Sequence, residues 1–448
     1  MNYKQAISYL YNLKEERINL GLSRINKLLF FMNVPIKDLK FIHVGGTNGK
    51  GSIVAMTSDV LAHNGFKTGV FTSPHLNDFR ERIVVKTCAG TGIKTELISK
   101  KVFAEIVSEI KKTEVKIVKE GLGSPTFFEV STAVMFAYFA KERIDIAVIE
   151  VGLGGRLDAT NIIDPLLSVI TNIGLEHTDR LGNTIEKIAK EKCGIIKKCR
   201  PVITQENNPK ALKIIQKTAK KMNSDLIKVG KSDKISFKFK KIKGDLQYFD
   251  YKGINWQLKD VFLRLKGKHQ IANAACVVAI SEVLCNLGVK INEFLLLRAL
   301  KNAVWPGRFE TISENPKIII DGAHNPPAAT VLSQTIQDYY KKKELTLVLG
   351  MLYDKDVNGI TNILFPLASN IVITSPDNVR AASVSDIAAR LFLKNSQIPV
   401  FLACDVRNAI EIAKKITSRE GLIVIAGSLY TIAQARKIVK NNPKNIFS

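Results

Sequence analysis

No apolar run in this sequence approaches the ~18–20 residues that a membrane-spanning helix needs, and Val130 to Ala140 stops at Lys141, so no membrane partner is expected. The six cysteines, at 88, 193, 199, 276, 285 and 404, form no CxxC pair and no metal-ligand spacing with the six histidines, which excludes a disulfide frame and a zinc site. The opening stretch, MNYKQAISYLYNLKEER, has no apolar signal core and is not poor in acids, so the expected location is cytoplasmic. No repeat, no low-complexity segment and no Ser/His/Asp or Cys/His nucleophile pattern is found. Acids are scarce beside bases, 41 against 66, and the net charge of +25 raises the question of nucleic acid. The lysines are scattered, however, with no arginine-rich tract and no interleaved aromatics, so no nucleic acid is expected. A lysine-rich compositional bias and a general pull on polyanionic substrates both remain open as readings of the charge.

What is present is a length of 448 residues with 46% apolar content, enough for roughly two to four domains with real cores. The chain is organised around Phe41 to Ser52, FIHVGGTNGKGS, where a short apolar run breaks into a glycine-rich loop carrying Lys50. Glycine lets backbone N–H groups approach an anion, and the helix that follows points its partial positive charge at the same place, so this reads as a phosphate-binding loop. Only three residues separate Gly45 from Gly49, and Gly51 stands between Lys50 and Ser52, so Ser52 is displaced from the position of the usual magnesium ligand. A glycine-rich turn with a solvated lysine is the bland alternative.

Residues 2–32 read as one or two amphipathic helices broken near Asn19, Leu20 and Gly21. Lys67 to Thr72 reads as a strand ending in Ser73-Pro74-His75, followed by a charged loop from Asn77 to Ile83. Helical spacing runs from Glu96 to Glu120 and again from Thr126-Phe127-Phe128-Glu129 to about Lys141; the two phenylalanines suit either a core or a wall for a flat ligand. Ile144 to Val151 is a buried strand with Glu150 at its carboxyl end, where ligands bind in doubly wound sheets. A second glycine loop, GLGGRLDATN, precedes a strand at Leu166 to Thr171 and a helix from Ile185 to Ile196. Ile235 to Leu258 switches to a period of two, giving a small antiparallel sheet with eight lysines between Lys231 and Lys259. A small-residue helix from Lys266 carries Asn273 on its first turn. The domain boundary falls at Trp305-Pro306-Gly307-Arg308, dividing 1–305 from 306–448, and strands at Ile318–Ile320, Leu345–Leu349, Ile371–Thr374 and Leu422–Ala426 follow. The expected class is α/β: a P-loop-type, mostly parallel sheet with a small antiparallel edge sheet, then a smaller Rossmann-like domain.

VIEVGLGGRLDATNII, joined to GGTNGKGS and TSPHL, resembles the folylpolyglutamate synthase and dihydrofolate synthase family, a branch of the Mur ligases. The likeness continues through TFFE, EKCGI, PGRFE, DGAHNP, GMLYDKD and GSLYTIA, nearly the whole chain. It implies an ATP-dependent carboxylate–amine ligase that forms an acyl phosphate for an amine to attack, so catalysis rests on holding phosphates, magnesium and carboxylate in line. It implies that Thr47, Asn48, Gly49 and Lys50, with Gly51 and Ser52, cradle the ATP phosphates. Ser73 and Glu150 would ligate one magnesium and His177 a second, and Lys192 would be carbamylated, which requires its pKa to be drawn down. Taken alone, His177 reads as a hydrogen-bonded cleft histidine and Lys192 as a surface helix lysine. By the same resemblance Asn273, Arg308 and Asp321 contact the nucleotide, ATP lies between the domains, and Thr126, Phe127, Phe128, Glu129, Leu157, Asp158 and Ala159 hold a pterin. An aromatic wall would stack its ring, and Glu129 or Asp158 would accept its hydrogen bonds.

The expected reaction adds L-glutamate to dihydropteroate and to reduced folates at one centre, by a monomer with small-molecule substrates only. Competing readings are a polyglutamate synthase without the dihydropteroate activity, a cell-wall peptide ligase of the Mur type, and a nucleic-acid-associated P-loop ATPase.

Overall fold

Strand β1 (Lys40–Gly45) is buried over all but its first residue, because its apolar run sits mid-sheet with helices covering both faces. The computed structural model describes residues 1–13, 21–231, 233–341, 343–392 and 398–441. Around β1 lie β2 (Thr68–Phe71), β3 (Ile83–Ala89), β4 (Gly92–Leu97), β5 (Ile146–Glu150), β6 (Leu167–Ile170), β7 (Val202–Thr204), β8 (Leu226–Gly230), β9 (Ile235–Lys243), β10 (Leu246–Lys252) and β11 (Gln257–Leu263). They form one eleven-stranded sheet in the order β11-β10-β9-β8-β7-β6-β1-β5-β2-β3-β4. From β9 to β2 the neighbours run parallel, and both ends are antiparallel. Register pairs Val44 with Glu150 and Gly45 with Ile170, so the loops after β1, β5 and β6 leave from one edge.

The expected mostly parallel α/β sheet with an antiparallel edge is what forms, but the opposite edge differs from expectation. Ile83–Leu97 folds as a hairpin about Gly90–Gly92 instead of giving way to a helix at Glu96. Its outer strand is mostly exposed, which dilutes the alternation that marks a half-buried strand. The helix starts at Lys100, where the Ser99 side chain accepts from Val102 N at 3.2 Å. Near the start of the chain, helices span Tyr3–Asn12 and Ser23–Phe31; Asn19 and Leu20, where the break was expected, lie outside the described residues. The helix Lys268–Asn286 places Asn273 on its second turn, not its first.

The chain divides into two units. The first comprises Met1–His75, Arg80–Arg264 and Gln270–Val304; the second comprises Leu76–Phe79, Leu265–His269 and Trp305–Ser448. The second unit has its own sheet, made of β12 (Glu310–Glu314), β13 (Lys317–Ile320), β14 (Leu345–Leu349), β15 (Asn370–Ile373), β16 (Val400–Leu402) and β17 (Leu422–Ala426). Its order is β12-β13-β17-β14-β15-β16, parallel except for β12. Apolar clusters cover both faces, one around Leu347, Leu349 and Val424, the other around Val348, Ile423 and Ile425. Among the described residues no helix is long and apolar enough to cross a membrane.

Candidate active site

Beyond β1 the chain turns at Gly46 and Gly49, whose φ of +136° and +87° are ones that side chains rarely adopt. A Cβ on Gly46 would overlap Thr171 Oγ1, and one on Gly49 would lie 2.8 Å from Asn273 Oδ1. The loop is therefore pressed between β6 and the helix Lys268–Asn286. Gly49 caps the helix Lys50–His63 without a side-chain hydrogen bond, so the first-turn N–H groups of Lys50, Gly51 and Ser52 have no intrahelical partner. With the helix dipole behind them, these donors suit a phosphate. The backbone N–H groups of Thr47 and Asn48 are already engaged, by the Asn172 carbonyl at 2.7 Å and Asn172 Oδ1 at 3.0 Å.

Two lysines converge on one carbonyl. Lys50 Nζ donates to Gly46 O at 3.0 Å and to Thr47 O at 2.9 Å, while Lys192 Nζ donates to Gly46 O at 2.8 Å. Lys192 also pairs with Glu176 Oε1 at 2.6 Å and is only 2% exposed, so it is no surface lysine. Its spacing in the helix Ile185–Lys192 puts it on the same inward face as Ile188 and Ala189. Burial, with the neighbouring Lys50 charge, draws its pKa down to about 8 against the opposing pull of Glu176. Burial disfavours the Glu176 charge, yet Lys192 and Lys50 outweigh it and hold that carboxyl below its ordinary value.

These groups line a polar cleft together with His177 and the Val151–Gly154 loop. His177 stands in a left-handed conformation, φ +48°, ahead of the short helix Thr178–Leu181. At the end of β5, Glu150 is 5% exposed, and its Oε2 accepts from Ser73 N at 3.1 Å, so the strand-end serine and carboxylate meet. Among the described residues no three His, Cys, Asp or Glu side chains gather into a metal cage. Magnesium binds through one or two carboxylates, with water and substrate phosphate completing the shell, and a hard oxygen beside a serine fits that pattern.

The residues expected around a pterin have mixed surroundings. The Phe128 ring lies against Gly152, where a Cβ would come within 2.6 Å of Cε2, and 6.1 Å from the Phe71 ring. Phe127 is buried between the Tyr11 ring and the Arg82 guanidinium. Glu129 is spent inside the protein. Both its oxygens take the Arg24 Nε–H, at 3.1 and 3.0 Å, and Oε2 also accepts from Thr126 N, closing a capping box. Asp158 likewise holds its own loop, accepting from Leu153 N at 2.8 Å, Thr160 N at 3.0 Å and Thr160 Oγ1 at 2.5 Å. Burial raises the Asp158 carboxyl, and those hydrogen bonds oppose the rise. Neither carboxylate can receive a ligand's N–H without sharing or losing these partners. Leu157 is half-buried and Ala159 buried in the same loop.

Asn273 is buried, its Nδ2 donating to Gln270 Oε1 at 3.0 Å, and Gln270 Nε2 reaches Ser52 Oγ at 3.2 Å. In the second unit, Asp321 accepts from Phe309 N and Ala323 N, each at 2.9 Å, and Arg308 lies against Gly322. The sequence reading gave no role to Glu176, Asn172 or Gln270. Only Glu176 carried a signal, as an acid directly before His177 in the loop that follows β6.

The Mur ligase middle domain matches residues 44–281, and the Mur ligase glutamate ligase domain matches residues 307–429. The Bacillus subtilis dihydrofolate synthase/folylpolyglutamate synthase is 33% identical over 98% of this chain and 99% of its own. The Escherichia coli protein of that name is 32% identical over 97% and 94%. Among solved structures, Mycobacterium tuberculosis folylpolyglutamate synthase complexed with ADP and AMPPCP superposes with a TM-score of 0.87 at 30% identity, covering 98% of this chain and 99% of that one. The Escherichia coli relative in complex with DHPP and ADP gives 0.85 at 28% identity, covering 99% of each. On sequence and structure alike, the chain belongs to the dihydrofolate synthase/folylpolyglutamate synthase family of Mur ligases.

Proposed function

We propose that this chain is an ATP-dependent ligase joining L-glutamate to dihydropteroate and to reduced folates through an acyl phosphate, as a cytoplasmic monomer acting on small molecules. The observation that carries the reading is the cleft where a glycine-loop helix N-terminus, Lys50, Lys192, Glu176 and His177 converge. A carboxylate is a poor acylating agent. Passing its oxygen to the γ-phosphoryl group of ATP, with ADP leaving, makes it reactive, and the glutamate amine then displaces phosphate. The protein's task is to hold the anions in line and offset their charge. The N–H groups of Gly49 to Ser52 and the Lys50 ammonium receive the phosphates, with Thr47 and Asn48 shaping the loop. Asn273, beside Gly49, contacts the nucleotide.

Ser73 and Glu150 would hold one magnesium and His177 a second; when bound, magnesium neutralises phosphate charge and fixes the phosphate geometry. Lys192 is the site of carbamylation. The ammonium first loses one proton, which a pKa near 8 allows, and the neutral amine then adds to carbon dioxide and releases a second, so a carbamate anion replaces a cation. Thr126 to Phe128 and Leu157 to Ala159 frame the pterin, and Glu129 acts there by fixing the helix start through Arg24.

The test is incubation with ATP, magnesium, glutamate and either dihydropteroate or tetrahydrofolate, with products resolved by mass. Both acceptors are expected to gain glutamate. Extension of tetrahydrofolate alone would reduce the activity to polyglutamylation, and no glutamate transfer to either would refute the reading. Lys192→Ala is expected to be nearly inactive and partly restored by a short carboxylate; an unmodified Lys192 in active protein, seen by intact mass, would remove carbamylation.

A further inference from the structure

Asn172 lies outside the glycine loop yet holds it. Its side-chain amide pairs in both directions with the main chain of Asn48: Asn48 N–H donates to Oδ1 at 3.0 Å, and Nδ2 donates to the Asn48 carbonyl at 3.0 Å. Its own main-chain carbonyl accepts Thr47 N–H at 2.7 Å. The flanking residues extend the same seam. Thr171 Oγ1 donates to the Asn48 carbonyl at 2.7 Å, and Gly174 N donates to Thr47 Oγ1 at 3.0 Å. Gly46 is glycine because Thr171 occupies the place of its side chain.

The residue type is specific to this geometry. A primary amide offers a donor and an acceptor side by side, as a peptide does; aspartate offers acceptors only, and alanine neither. Glutamine would set the same groups one methylene farther out. The consequence lies a few residues downstream. The segment pinned to the phosphate loop runs on through Gly174 into Glu176, which pairs with Lys192, and His177, which lines the cleft. Lys192 in turn donates back to Gly46 O, closing a ring from loop to segment to lysine to loop.

We infer that Asn172 is a positioning residue that locks the phosphate loop to the Glu176–His177 segment, so that cationic and anionic groups from β1 and β6 meet the nucleotide phosphates at one fixed spacing. This rests on the ligase reading above. A preorganised site of this kind loses rate steeply when its groups drift, on the order of 100-fold for about 1 Å. Asn172 is not among the residues that line the cleft; it acts through the main chain of Asn48 and the segment that carries His177.

The experiment uses the full-length protein with Asn172→Ala and Asn172→Asp. Asn172→Ala is expected to lower kcat/KM for ATP by about 10–100-fold, the usual range for residues that orient ligands from behind. The KM for the pterin acceptor should stay within about twofold. Asn172→Asp keeps the acceptor for Asn48 N–H but sets a second carboxylate oxygen against the Asn48 carbonyl, so it should fall at least as low as alanine. Amide hydrogen exchange without nucleotide gives a second readout: the Asn48 and Thr47 amides should exchange faster in Asn172→Ala while those of β5 are unchanged. A parallel rise in both KM values, or an active Asn172→Ala protein with unaltered ATP constants, would overturn the positioning role alone. Calorimetry with ADP and magnesium on the wild type separates the two readings, because failure to bind would overturn the ligase reading together with this one.

Discussion

Acidification should weaken the first unit through one histidine. His43 sits in the middle of β1, fully buried, with Nε2 2.9 Å from Thr160 Oγ1 and Nδ1 without a hydrogen-bond partner. The Thr160 hydroxyl gives its proton to Asp158, so it accepts from an imidazole N–H, and the ring is neutral. Burial first, and then the Lys197 charge, draw its pKa from 6.5 to about 3. A depressed native pKa means that the unfolded chain binds the proton first. The stability is therefore complete above pH 6.5 and is lost as the pH falls toward 3, at about 1.4 kcal/mol per pH unit. At pH 5 about 97% of unfolded chains carry this proton against about 1% of native ones, a loss of about 2 kcal/mol. His43→Gln keeps an N–H for Thr160 and cannot titrate. Urea unfolding at pH 7.5, 6 and 5, followed by Trp256 fluorescence in a Trp305→Phe background, reports on the unit that contains His43. Between pH 7.5 and pH 5 the wild type should lose about 2 kcal/mol more than the variant; equal losses would refute the assignment of a buried neutral ring.

Gly152→Ala should force the Phe128 ring off its seat, costing about 1–3 kcal/mol and raising the KM for the pterin acceptor more than that for ATP, as steady-state kinetics with each substrate varied would show. Arg24→Met leaves the Glu129 carboxylate buried and unpaired, and should cost about 3–5 kcal/mol in urea unfolding, part of which the double variant with Glu129→Gln recovers. Glu150→Ala should abolish glutamate transfer without loss of the fold, measured by product mass and circular dichroism.

The buried parallel strands were legible because both faces are covered and the runs are continuously apolar, as in Ile146–Glu150 and Leu422–Ala426. The β3–β4 hairpin was not, since its outer strand faces solvent and has little apolar alternation to show. Lys50, Glu150, His177 and Lys192 were named from motifs, and the cleft brings Lys50, His177 and Lys192 together, while Glu150 meets Ser73 at the end of β5. Other features lay beyond a linear reading. Asn172 and Gln270 act on the phosphate loop across 124 and 218 residues of sequence, and no local pattern announces such a contact. The same limit explains Glu129 and Asp158, which read as ligand acceptors until Arg24 and Thr160 are seen to occupy them.

The strand order β6-β1-β5-β2 has a consequence for how such a protein can change. Neighbouring strands lie about 4.8 Å apart, so these four deliver their loops along a front of roughly 14 Å. On one flank β6 and β1 send out Asn172, Glu176 and the glycine loop; on the other, β5 and β2 send out the Gly152–Asn161 loop and Ser73. Seams such as that of Asn172 tie the first pair to each other, and the β5 loop is tied in turn to the segment that carries Lys192, Arg156 N–H donating to Glu191 O at 2.8 Å and Asn161 Nδ2 to Gly194 O at 3.0 Å. Changes at Gly155, Arg156 or Asn161 are therefore transmitted to Lys192, whereas Leu157 and Ala159 stand outside those ties and outside the lining of the cleft. Randomising Leu157 and Ala159 should yield variants that differ in acceptor preference and share one dependence on ATP, while randomising Leu153 to Arg156 should disturb both.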